Sequence, residues 1–123
     1  MARILLVEDN PANMKLVMFL LERGGHTVFT AIDAAGGIAQ ARAEMPDLIL
    51  MDIILPDMDG LQATRLLKAD PLTGAIPIVA LSAVPMEGEN APWREAGCDS
   101  YIEKTLLYKE LWEAIEAQIP PIA

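Results

Sequence analysis

Several short apolar runs in this chain stop on a residue able to bind a cation, attack phosphorus or hold an anion. The run at 4–7 is followed by Glu8 and Asp9, that at 48–51 by Asp52, that at 78–81 by Ser82, and a short run at 100–102 leads to Lys104. If these runs are parallel strands and the first and third are neighbours, Glu8, Asp9 and Asp52 meet within a few ångström. Two unit charges about 4 Å apart repel by roughly 4 kcal/mol at a protein-surface dielectric, so such a cluster either holds a proton or binds a cation. An open, all-oxygen site suits Mg²⁺. A carboxylate beside a divalent cation, an ammonium and a hydroxyl is equipped to attack phosphorus, and phosphoryl transfer needs mainly positioning and charge neutralisation.

The elements that must position these groups alternate along the chain. After the strand at 4–7, Asn10 can cap a helix with Pro11 in its first position, and Met14, Val17, Met18 and Leu21 share one face until Gly24-Gly25. A β-rich stretch at 27–31 follows. Asp33 caps a helix reaching about Glu44 before Pro46, and Asp59-Gly60 opens another reaching about Ala69. From Leu107 onward Tyr108, Leu111, Trp112 and Ile115 fall on one helical face. Five strands alternating with helices predict a flavodoxin-like three-layer sandwich: a parallel sheet in the order 2-1-3-4-5 with helices on both faces. In that order the switch point lies between strands one and three, where ligands bind beyond the carboxyl ends.

Composition bounds the partners. The 123 residues leave room for one domain, residues 1–123. A net charge of −9 disfavours nucleic acid and anionic lipid and favours proteins or cations. The longest uncharged run, 71–86, holds Pro71, Pro77 and Pro85 and cannot span a bilayer, and the amino terminus lacks a signal-peptide pattern, so a cytoplasmic protein is expected. The single cysteine, Cys98, excludes an intramolecular disulfide.

Glu8-Asp9, Asp52 within the segment 48–60, Ser82-Ala83, Ala96-Gly97-Cys98-Asp99, Tyr101-Ile102 and Lys104 together resemble the receiver domain of two-component response regulators. The resemblance covers nearly the whole chain. Because the sequence ends after a fifth helix, it is similar to the stand-alone receivers. The resemblance implies that Asp52 accepts a phosphoryl group from a histidine kinase or histidine phosphotransfer protein. It implies that Asp9, Asp52 and the backbone carbonyl of Ile54 ligate Mg²⁺ with help from Glu8. Lys104 would pair with phosphoryl oxygens, Ser82 would turn its hydroxyl toward them, Tyr101 would take the aromatic switch place, and the small Ala83 would leave Asp52 accessible. It further implies that the face made by the fourth helix, fifth strand and fifth helix meets a downstream protein or a second copy of the chain, as a homodimer.

Two positions depart from the family pattern. Thr105 follows Lys104 where the family has proline after a cis peptide; a non-proline cis bond costs about 3 to 4 kcal/mol, so the 104–105 peptide is expected to be trans. Gly88 and Pro92 fall where the fourth helix belongs, which predicts a shortened or irregular helix starting near Asn90 to Pro92, with Asn90 as cap and Trp93 exposed for a partner. His26, in the turn before the second strand, reads as structural, and Cys98 as a buried small hydrophobe.

Two rival functions compete with phosphoacceptance. Asp57-Met58-Asp59-Gly60-Leu61 resembles the opening motif of haloacid-dehalogenase-type phosphatases, but Pro56 separates it from its strand and the remaining chain is too short. The other rival is a pseudo-receiver that binds a protein without being phosphorylated.

Overall fold

A run of apolar residues without polar alternation fits a strand covered on both faces. The computed structural model describes residues 2–83 and 91–103, and within them the elements run β1 (Arg3–Val7), α1 (Pro11–Arg23), β2 (Thr27–Ala31), α2 (Ala34–Glu44), β3 (Leu48–Asp52), α3 (Gly60–Ala69), β4 (Ile78–Ser82), α4 (Pro92–Ala96) and β5 (Ser100–Glu103). All strand pairings are parallel, in the order β2-β1-β3-β4-β5. Leu5, Val7, Ile49 and Met51 face a layer holding α2, α3 and α4. Ile4, Leu6, Leu48 and Leu50 face the opposite layer with α1. This is the expected three-layer, flavodoxin-like arrangement. The strands outrun the apolar runs by a polar residue, Arg3 at the start of β1 and Asp52, Ser82 and Glu103 at the ends of β3, β4 and β5.

The helix starts follow their caps. The Asn10 side chain accepts from the amides of Ala12 and Asn13, with Pro11 in the first turn of α1. Asp59 accepts from the Leu61 amide at 2.7 Å and starts α3. Asp33 accepts from the Gly36 amide at 2.7 Å and starts α2, which ends at Met45 in a left-handed conformation, one residue before Pro46. Glycines inside a helix cost about 1 kcal/mol each relative to alanine, and α2 has two. Gly37 is accounted for by packing: a Cβ there would lie 2.7 Å from Cγ2 of Val7, so its absence lets α2 approach β1 closely.

The fourth helix is short and begins within the expected range, but its cap and its tryptophan differ from expectation. Residue 91 is extended (φ −59°, ψ 135°), so helix begins only at Pro92, and the cap position belongs to Ala91, which offers no side-chain oxygen, rather than to Asn90. Trp93 is 7% exposed and belongs to the core. Its ring packs on Tyr101 at 5.4 Å between centroids, and the Arg94 guanidinium lies over the Trp93 ring at 4.6 Å from its centroid. A five-residue helix still buries an indole when β5 supplies an aromatic wall. The expectation of an exposed Trp93 is therefore corrected.

Lys68 secures the turn after α4. Its Nζ donates to the Ile76 carbonyl at 2.7 Å and to Asp99 Oδ2 at 3.1 Å, while the same Asp99 oxygen accepts from the Ile78 amide at 2.8 Å. Segment 84–90, Lys104 with its peptide bond to Thr105, and the helix expected from Leu107 onward lie outside the described residues.

Cys98 and His26 have the structural roles expected of them. Burial pushes the Cys98 thiol up from 9.0 to about 11, and its Sγ lies 3.8 Å from Thr64 Oγ1. Between those two values the unfolded chain releases the thiol proton while the folded chain keeps it, so folding stability falls as pH rises from about 9 toward 11. Native protein at pH 8 should therefore resist iodoacetamide, reacting only after denaturation; rapid native labelling followed by mass spectrometry would contradict the buried placement. His26 Nδ1 accepts from the Ala2 amide at 3.2 Å, and partial burial holds its pKa below the ordinary 6.5.

Candidate functional site

Register brings the acidic residues together. Val7 pairs with Met51, so the next residue on each strand, Glu8 and Asp52, lies at the shared carboxyl edge. The Glu8 amide donates to Ala31 at 3.0 Å and the Ile53 amide to Leu81 at 3.2 Å, which extends the ladder past the strand ends and holds the backbone on either side of the cluster. One carboxylate oxygen each from Glu8, Asp9 and Asp52 lies within 4.8 Å of the others. Asp9 is exposed, whereas Glu8 and Asp52 are 1% and 3% exposed. Two carboxylates at that separation repel by about 3 kcal/mol at an effective dielectric of 20. Three oxygen donors, two of them buried and one open to solvent, fit a small hard cation that keeps some of its water, as Mg²⁺ does.

The remaining expected residues surround this cluster unevenly. Ile54 lies two residues beyond β3 and is 76% exposed. Ser82 is buried at the end of β4, one residue beyond Leu81, the register partner of Asp52. Ala83 beside it is exposed. Tyr101 stands half-buried on β5 opposite Ala80, against Trp93.

The phosphatase-like segment has another use. Asp59 caps α3, and Asp57 reaches across to α2, its Oδ1 accepting from Ala34 at 2.8 Å and its Oδ2 from Ala35 at 2.9 Å. Those amides, Ala34 first, hold the Asp57 carboxyl below the usual carboxylate range. Both aspartates of the motif are thus engaged as caps. Sequence reasoning missed the Asp57 contact. The available signal was a surplus: two aspartates precede one helix start, and one suffices to cap it.

A parallel 2-1-3-4-5 sheet with an acidic cluster at its switch point defines a receiver. The family model of the response regulator receiver domain matches residues 4–116, and the chain belongs to that family of two-component signalling proteins. It is 38% identical over 117 residues to Protein PilH of Pseudomonas aeruginosa strain PAO1, covering 95% of this chain and 97% of PilH. It is 37% identical over 116 residues to the polar-differentiation response regulator DivK of Brucella anthropi, covering 94% of each. Among solved structures it is similar to the receiver domain of the sensor histidine kinase PA1611 of Pseudomonas aeruginosa PAO1, with 33% identity, a TM-score of 0.88 and 98% of each chain covered. That receiver holds a magnesium ion in its active site cleft. Among the described residues, no helix is long and apolar enough to cross a membrane.

Proposed function

We propose that this chain is a single-domain cytoplasmic signalling switch in which Asp52 accepts a phosphoryl group from a histidine kinase or a histidine phosphotransfer protein. The observation that carries the reading is the buried Asp52 carboxylate at the end of β3, with ligand atoms of Glu8 and Asp9 within 4.8 Å. Glu8, Asp9, Asp52 and the Ile54 carbonyl would hold Mg²⁺, which supplies charge neutralisation for the carboxylates and the phosphoryl oxygens. An Asp52 oxygen forms the new bond to phosphorus as the bond from phosphorus to the donor breaks, and the donor leaves with that electron pair. Lys104 and the Ser82 hydroxyl act on the phosphoryl oxygens, the first by charge and the second by donating a hydrogen bond. Burial of Asp52 limits the approach of water to the acyl phosphate.

Ser82 and Tyr101 relay the change to α4, β5 and the helix expected from Leu107 onward, the face that meets a downstream protein or a second copy of the chain. Phosphorylation then shifts a population of conformers on that face. The test is intact mass after incubation with acetyl phosphate. Wild-type protein should gain one phosphoryl group with Mg²⁺ and none in excess chelator. The pseudo-receiver reading, favoured by Thr105 and the five-residue α4, requires no gain under either condition.

A further inference from the structure

The loop between β3 and α3 carries the Ile54 carbonyl, and a loop carbonyl is only as well placed as its loop. The base of this loop is closed by the Gly60 amide donating to Ile53 at 2.6 Å and by an antiparallel bridge between Ile54 and Asp59. Between these closures lie Pro56, which has no amide to donate, and Asp57. The Asp57 carboxylate links the loop to α2, each oxygen taking one amide, Ala34 at 2.8 Å and Ala35 at 2.9 Å. Ionised acceptors on backbone amides make stronger hydrogen bonds than neutral ones.

This link is additional to the ordinary cap of α2. Asp33 already fills the cap position and takes the Gly36 amide. Asp57 takes the two amides before it, from 23 and 22 residues away in sequence. The helix it holds begins Ala-Ala-Gly-Gly, a weak helical start, so the first turn of α2 and the β3–α3 loop depend on one another.

We infer that Asp57 is a positioning residue of the phosphorylation site: its bridge to α2 fixes the loop presenting the Ile54 carbonyl and thereby sets Mg²⁺ affinity and the rate of phosphotransfer to Asp52. The inference rests on the reading of Asp52 and Ile54 proposed above. Coupling free energies are reciprocal, so Mg²⁺ binding must in turn tighten the first turn of α2.

The test is Mg²⁺ titration calorimetry on wild type, Asp57→Ala, Asp57→Asn and Asp33→Ala, with amide exchange at Ala34 and Ala35 in chelator and in saturating Mg²⁺. Asp57→Ala should bind Mg²⁺ at least fivefold more weakly. Asp57→Asn, which keeps one acceptor oxygen, should fall between, and it carries the comparison if the alanine variant does not fold. Asp33→Ala should lose stability yet weaken Mg²⁺ binding less than Asp57→Ala, because it removes a cap of α2 while leaving the Asp57 bonds between helix and loop in place. In wild type Mg²⁺ should slow exchange at Ala34 and Ala35 several-fold, and in Asp57→Ala it should not. Wild-type binding with equal affinity in both Asp57 variants would overturn the positioning role alone. A wild type without saturable Mg²⁺ binding would overturn the metal-site reading and this inference with it.

Discussion

Asp52→Asn, incubated with acetyl phosphate and Mg²⁺, should keep its unmodified mass while wild type gains a phosphoryl group. The amide lacks the anionic oxygen that attacks phosphorus, and no other carboxylate of the cluster is equivalent. Glu8 is equally buried but sits just beyond β1, and Asp9 is exposed. The same substitution has a second, opposite effect. Removing one charge from carboxylates that lie within 4.8 Å of each other relieves a repulsion of about 3 kcal/mol at an effective dielectric of 20. In chelator Asp52→Asn should therefore unfold at a higher temperature than wild type.

Adding Mg²⁺ should reverse that order or narrow it. A ligand that binds only the folded state at one hundred times its dissociation constant stabilises by about 2.7 kcal/mol, and the variant has lost a donor for it. The pair of measurements separates charge from chemistry. Phosphorylation of Asp52→Asn to the wild-type extent would remove Asp52 as acceptor. A variant less stable than wild type in chelator would show that the carboxylate makes contacts in the fold that outweigh its repulsion with Glu8 and Asp9.

The acidic cluster was legible because it depends on local facts joined by one topological rule. Each carboxylate follows its own apolar run, and once β1 and β3 are neighbours the register Val7 to Met51 does the rest. Strand ends were less legible, because hydrogen bonding continues past the last apolar side chain into Asp52 and Ser82. Trp93 and Asp57 were misjudged or missed for a shared reason: what decides each is a residue on another element. Burial of Trp93 depends on Tyr101, seen only when α4 lies against β5. The role of Asp57 depends on two amides of α2, more than twenty residues away.

Gly60→Ala should be the most destabilising single-methyl addition in the site, and helix propensity alone predicts the opposite. Gly60 opens α3, where alanine is intrinsically favoured over glycine by about 1 kcal/mol. A Cβ at this position, however, would lie 1.9 Å from the Asp52 carbonyl oxygen, 2.8 Å from its carbon and 2.9 Å from the Ile53 Cα. All three are backbone atoms at the end of a fully buried strand, and none can turn aside as a side-chain tip could. Relief requires α3 to lift or the peptide of Asp52 to move, and either breaks the 2.6 Å bond from the Gly60 amide to Ile53. Forced overpacking costs typically 1 to 3 kcal/mol and sometimes more; with backbone on both sides of the clash, a loss of about 3 kcal/mol or more is expected in urea unfolding. Gly36→Ala is the matched comparison, because its closest contact is the carboxylate tip of Asp33 at 2.8 Å, which can rotate. That variant should stay within about 1 kcal/mol of wild type, the gain in propensity offsetting a weakened cap. Since the atom struck in Gly60→Ala is the carbonyl of Asp52 itself, the variant should also lose most phosphorylation by acetyl phosphate under conditions where it remains folded. Stability equal to that of Gly36→Ala, with normal phosphorylation, would show that the strand end yields at little cost and that Gly60 does not hold Asp52 in place.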